Sequence, residues 1–180
     1  MHALDNPIWT ALTTKQAQLA HSSALARRFP PEMTLLGALA ANTVMAFDSL
    51  AQLIQRDPVT IYFSTPPQPG AGWETVRSVE LVQMVKEGAI SPAATPEHEV
   101  IELTPADVPE MSAIYAATRP GRTLCQKIQK LGTFLGIRHE GRLVAMGGVR
   151  LHIAGYREIT TVATQPEFEG RGYGTAVAGR

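Results

Sequence analysis

Cysteine is almost missing from this chain: Cys125 is the single one among 180 residues. No intramolecular disulfide can form, and a reducing, cytoplasmic setting is expected. Net charge is missing too, because Lys plus Arg and Asp plus Glu both number 16. No broad electrostatic field draws in nucleic acid or an anionic membrane, so neither is expected as a partner. A long hydrophobic run is also lacking. The greasiest stretch, residues 33–47, is broken by Gly37, Asn42 and Thr43 and falls short of the ~18 apolar residues a membrane span needs. Residues 1–14 have neither a basic leader nor a continuous apolar core, which argues against a signal peptide. His2 and His21 have no cysteine or carboxylate at metal-ligand spacing, so no metal site is predicted. No nucleophile motif surrounds Cys125, and its expected place is in packing. What remains is a chain that is 44% hydrophobic and 18% charged, enough to bury a real core.

Two halves separate at residues 88–97, where Pro92 and Pro96 disfavour regular structure and mark a linker. In the first half, residues 1–95, the apolar spacing of Ala17, Leu19, Ala20, Ala24 and Leu25 predicts an amphipathic helix over 15–28, stopped by Pro30-Pro31. A second helix is expected over 43–55. Residues 59–63 and 73–84 are rich in β-formers and read as strands around a Pro/Gly loop at 66–72. Trp9 and Trp73 are read as packing anchors. This half is α/β and looks architectural.

In the second half, residues 96–180, a short strand over 100–103 leads to Thr104-Pro105-Ala106-Asp107. That is an N-cap, a proline at the first helical position and a carboxylate in the first turn, so a helix over about 105–118 is expected. After another short helical segment come three strands, 133–138, 143–153 and 156–164, joined by tight turns into an antiparallel meander. The last strand ends at Gln165-Pro166 and opens into Glu169-Gly170-Arg171-Gly172-Tyr173-Gly174-Thr175, with a helix from about Ala176.

Glycines at alternate positions let that loop turn sharply and leave amide hydrogens unobstructed, and the helix start adds a partial positive charge. The arrangement suits a pyrophosphate. Such a loop is also compatible with a plain structural turn. Two other phosphate loops fail on spacing: there is no Gly-Lys followed by Ser or Thr, and Thr175 stands where the dinucleotide fingerprint needs a glycine.

Val162-Ala163-Thr164, then Gln165-Pro166-Glu167-Phe168, then Gly170 to Gly174 resembles motif A of the GNAT superfamily. Within it, the chain is similar to the branch resembling the C-terminal region of a Drosophila follicle-rupture protein, in which an N-terminal half such as Asn6-Pro7-Ile8-Trp9 precedes the catalytic one. Glu169 departs from the Arg or Gln that opens the family loop, and so places a carboxylate beside the expected pyrophosphate. The resemblance implies an α/β (α+β) fold with a mixed, mostly antiparallel sheet flanked by helices, incomplete at the C-terminus and preceded by a smaller α/β half. It implies an N-acyltransferase moving an acetyl group from acetyl-CoA to a small-molecule or peptide amine by direct attack. Val162, Ala163 and Thr164 would pair with the pantetheine arm, while Glu169, Gly170, Arg171, Gly172, Tyr173, Gly174 and Thr175 would surround the pyrophosphate. Glu158 stands where several members carry a general base; equally, it reads as a strand carboxylate paired with Arg157 or Arg150. A non-catalytic protein that binds coenzyme A or a partner subunit is the alternative, and the free sheet edge is the expected place for a second copy or a completing chain.

Overall fold

A computed structural model describes residues 2–55, 57–88 and 99–180. The expected linker at 88–97 falls almost wholly outside the described residues. The chain opens with helix α1 (Pro7–Thr13), capped by the Asn6 side chain, which accepts from Trp9 N, with proline at the first helical position. Its Ile8, Ala11 and Leu12 are buried.

The helix expected over 15–28 is not formed. Instead a single turn, Ala17–Leu19, leads to β1 (His21–Ser22) and β2 (Ala26–Arg28), which with β3 (Gly37–Leu39) make a small antiparallel sheet in the order β1-β2-β3. Ser23 sits at the turn: its amide donates to Ala26 O at 3.0 Å and closes the hairpin, and its hydroxyl donates to Ser49 O at 2.7 Å. Serine competes in this way with helix hydrogen bonds. Helix α2 (Val44–Ala51) starts within one residue of the expected position, capped by Thr43, though it ends sooner than 55. Phe47 on α2 packs edge-on against Trp73, with ring centroids 5.3 Å apart.

Neither strand expected after α2 forms. In 59–63 only Thr60 makes a bridge, parallel to Leu36. Residues 73–84 form no regular element and no ladder among the described residues, and Val76, Val82 and Met84 stay more than four-fifths exposed. β-propensity describes a side chain that suits a half-buried sheet, and without a neighbouring ladder it makes no strand.

The second half matches the sequence reading closely, except that its last helix begins at Tyr173 and not at the expected Ala176, because Gly172 already takes the N-cap position. β4 (Val100–Glu102) ends at a reciprocal cap, in which the Thr104 amide donates to Asp107 Oδ2 at 2.7 Å. A 3₁₀ turn then runs into α3 (Val108–Thr118). β5 (Phe134–His139), β6 (Arg142–Ile153) and β7 (Tyr156–Thr164) complete an antiparallel sheet, β4-β5-β6-β7, and α4 (Tyr173–Ala178) closes the described chain. A Cβ at Gly148 on β6 would lie 2.5 Å from the Phe134 ring, so only glycine lets that ring sit flat on the sheet. Phe134 is 1% exposed, and truncating it to Ala would cost ~3–5 kcal/mol.

One core joins the halves. Ile8, Leu12 and Phe29 pack in the same cluster as Leu103, Met111, Phe134, Met146 and Leu151. Gln16 reaches across: its Nε2 donates to Leu131 O and Arg150 O at 3.1 and 3.0 Å, and its Oε1 accepts from His152 N at 3.1 Å. A buried amide is tolerated when its donors and acceptor are used in this way. α4 packs on the other side of β6, where Tyr173, Ala176 and Val177 meet Ile137, Val144 and Ala145.

Candidate active site

β7 is β-branched through most of its second half, which suits a strand, yet its pairing with β6 slips. Met146 faces Ala163 and Gly148 faces Thr160, so β7 holds one extra residue there, and Thr161 adopts φ 57°. That is a bulge, and it re-aims the rest of the strand. Beyond it, Gln165 N donates to Val144 O at 2.8 Å and Ala163 faces Met146. By the alternation of an antiparallel ladder, the backbone groups of Val162 and Thr164 then point away from β6, toward the free edge. β7 has no second strand neighbour among the described residues. One cation occupies part of that edge: Arg119, just past α3, donates to Val162 O at 3.3 Å and stacks on Tyr115.

The strand is released into the loop at a fixed point. Gln165 is buried, its Nε2 donates to Leu143 O at 2.8 Å, and Arg142 donates to its Oε1. One tight turn, Pro166–Phe168, comes next. Gly170 and Gly172 then take φ 77° and 76°, a left-handed conformation that costs a side-chain-bearing residue ~1–2 kcal/mol. Gly172 is the N-cap of α4. The first bond of that helix is donated by Ala176 to Gly172 O, so the Gly174 and Thr175 amides ahead of it are not used by the helix ladder.

These pieces surround one open depression of about 360 Å³, lined by Val162, Ala163, Thr164, Phe168, Glu169, Gly170, Gly172, Tyr173, Gly174 and Thr175. Nine residues singled out in the sequence are thus brought together. Arg171 is not among the lining residues. Its guanidinium lies 4.9 Å over the Phe168 ring and donates to Glu167 O. Phe168 was missed, and its local sequence gave no sign that it lines the hollow.

Glu158 does not line the depression either. Arg157 and Ile159, its neighbours on β7, line a hollow beside Val177 and Ala178 of α4, so alternation puts Glu158 on the opposite face, toward the first half of the chain. There Arg150 of β6 grips it with two bonds, Nε to Oε2 at 2.9 Å and a terminal nitrogen to Oε1 at 2.5 Å. The Tyr62 hydroxyl meets the same guanidinium at 2.8 Å. Burial works against the charge on Arg150, but the bonds and charge of Glu158 outweigh it and hold the guanidinium pKa above its ordinary value. Tyr62 was invisible to the sequence reading, since 88 residues separate it from Arg150.

Cys125 is half-buried and burial pushes its thiol pKa up, the opposite of an activated nucleophile. Among the described residues, no group of three or more His, Cys, Asp or Glu side chains is arranged to hold a metal ion, and no helix is long and apolar enough to cross a membrane.

A bulged edge strand running through a glycine loop into a helix start, on a mixed α/β frame, defines a protein that can cradle an anion and lay an extended ligand along its sheet. Residues 99–179 match the acetyltransferase (GNAT) family. A GNAT-family protein of Novosphingobium aromaticivorans DSM 12444, assigned as an acetyltransferase, is 32% identical, with a TM-score of 0.86 over 99% of this chain and 78% of that one. The chain belongs to the GNAT family, and as a member is an acyltransferase. More partial overlaps occur with Rv2747 of Mycobacterium tuberculosis, solved with CoA and NLQ, at 24% identity and TM-score 0.38 over 44% of this chain and 52% of that one. A GCN5-related N-acetyltransferase of Kribbella flavida shares 18% identity, with TM-score 0.41 over 53% and 38%. No curated protein matches the chain significantly.

Proposed function

We propose that this protein transfers an acetyl group from acetyl-CoA to a primary amine by direct attack. The observation that carries this reading is the single depression uniting the outward backbone of Val162 and Thr164 with the loop from Gly170 to Thr175. Strand-like backbone groups suit the amides of a pantetheine arm, and left-handed glycines ahead of a helix start suit a pyrophosphate. Acetyl-CoA supplies a thioester, an acyl group already poised for attack by a neutral amine.

The chain's own residues supply the rest. Arg119 yields the Val162 carbonyl as the pantetheine takes its place on the edge. Glu158 accepts the proton that an ammonium acceptor must lose, giving a neutral amine and a carboxylic acid, a step worth ~10²–10⁴-fold when the base is well placed. The amine nitrogen then bonds to the acyl carbon, the carbon–sulfur bond breaks, the proton that the nitrogen sheds on becoming an amide goes to the departing thiolate, and Glu158 returns its own proton to solvent. The acceptor comes from the face that Glu158 shares with Tyr62, between the two halves of the chain. Release of free thiol from acetyl-CoA, measured across a panel of amines, tests this: turnover that Glu158→Gln lowers ~10²–10⁴-fold is expected, and no turnover with any amine would overturn it.

A further inference from the structure

We propose that Arg150 and Tyr62 are positioning residues for Glu158, so that the amine-activating centre is built jointly by both halves of the chain; this rests on the catalytic reading of Glu158. Three observations carry it. Arg150 binds both oxygens of Glu158, at 2.9 and 2.5 Å, and such a two-pronged contact fixes the plane of a carboxylate as well as its position. Each oxygen uses one lone pair on the guanidinium and keeps another for an incoming donor. Tyr62 then meets the guanidinium from the first half at 2.8 Å, and its ring packs on the shared core. Arg150 has little room to swing away, because its side chain is only 19% exposed, and its backbone is held in place by the bond from Gln16 to its carbonyl.

A pair whose role was mere surface attraction would be worth little and would need no third partner. Here the third group arrives from 88 residues away in sequence and completes the clamp. Proton transfer depends steeply on placement, and a misplacement of about 1 Å can cost ~10²-fold. Loss of the clamp should therefore lower turnover and leave coenzyme binding alone, because Arg150 and Tyr62 lie on the sheet face away from the glycine loop.

The test compares Tyr62→Phe and Arg150→Lys in two backgrounds, unaltered and Glu158→Gln, with acetyl-CoA and the best amine of the panel. Arg150→Lys, which keeps a charge but cannot span both oxygens, should lower kcat by ~10²-fold, and Tyr62→Phe by a smaller but measurable factor of up to about tenfold, with KM for acetyl-CoA unchanged in both. In the Glu158→Gln background neither change should lower the residual rate further, because residues that act through Glu158 have nothing left to position. Equal losses in both backgrounds, or no loss from Tyr62→Phe in the unaltered one, would overturn the positioning role. Full activity of Glu158→Gln alone would instead remove the base assignment itself. Should Arg150→Lys fold poorly, Tyr62→Phe decides the question unaided.

Discussion

At the scale of single residues, the glycine loop separates positions that need glycine from one that does not. Gly172 holds φ 76°, and Gly172→Ala should destabilise by ~1–2 kcal/mol from backbone strain alone. Gly174 has an ordinary φ, and a Cβ there would sit 3.5 Å from Val162, so Gly174→Ala should leave stability near that of the parent. Urea melts of the two variants check this contrast, and equal losses would contradict it. Glu169 is a sharper case, because it lines the depression where a pyrophosphate is proposed to lie. Glu169→Gln should tighten coenzyme A binding at low salt, with the gain shrinking as salt screens it. Unchanged affinity in calorimetry at low salt would mean that the carboxylate turns to solvent. The sequence showed this loop well because left-handed glycines leave a local signature. It misplaced Arg171, since whether a side chain faces the hollow or folds back onto Phe168 depends on packing that no spacing rule reaches.

At the scale of elements, legibility tracked how local the controlling interactions are. The second half carries its instructions nearby: the cap at Thr104, tight turns at Gly141 and Gly155, and β-branched runs between them all agree, so its helix and strands appear as read. The first half does not. Residues 15–28 have helix-like spacing, yet the hairpin closed by Ser23 and anchored on Ser49 of α2 wins, and that partner lies far along the chain. α3 and β6 are tied by a further polar element with a pH signature. Glu110 accepts from the Leu143 amide at 2.9 Å and from Arg138, which also meets Asp107. The amide from Leu143 and then Arg138 hold the Glu110 pKa below its usual range, and the Thr104 bonds followed by Arg138 do the same for Asp107. Depressed carboxylates contribute stability above their unfolded pKa, near 4, and lose it as pH falls through their folded values. Glu110→Gln should thus be less stable than the parent at pH 7, with the gap closing as pH drops below about 4. A gap that stays constant down the pH series would show that the charge of Glu110 contributes nothing.

At the scale of the whole molecule, the first half is bound into the same core as the sheet that carries the site. Gln16 is the polar link, and Gln16→Ala would leave the carbonyls of Leu131 and Arg150 and the amide of His152 without it, at a cost of about 1–3 kcal/mol. A single urea transition shifted to lower concentration is expected. An unshifted transition would show that the link is idle. By sequence this half looks architectural, and the reach of Tyr62 to the Arg150–Glu158 pair is hidden there, because such a contact exists only once the chain has folded. The central claim is that the bulged strand and glycine loop hold an acyl-coenzyme A, and calorimetric titration of coenzyme A into the unaltered chain, Gly172→Val and Arg171→Ala tests it most directly. One binding site is predicted, lost or strongly weakened in Gly172→Val and nearly unchanged in Arg171→Ala; equal affinities for all three, or no binding to the unaltered chain, would contradict it.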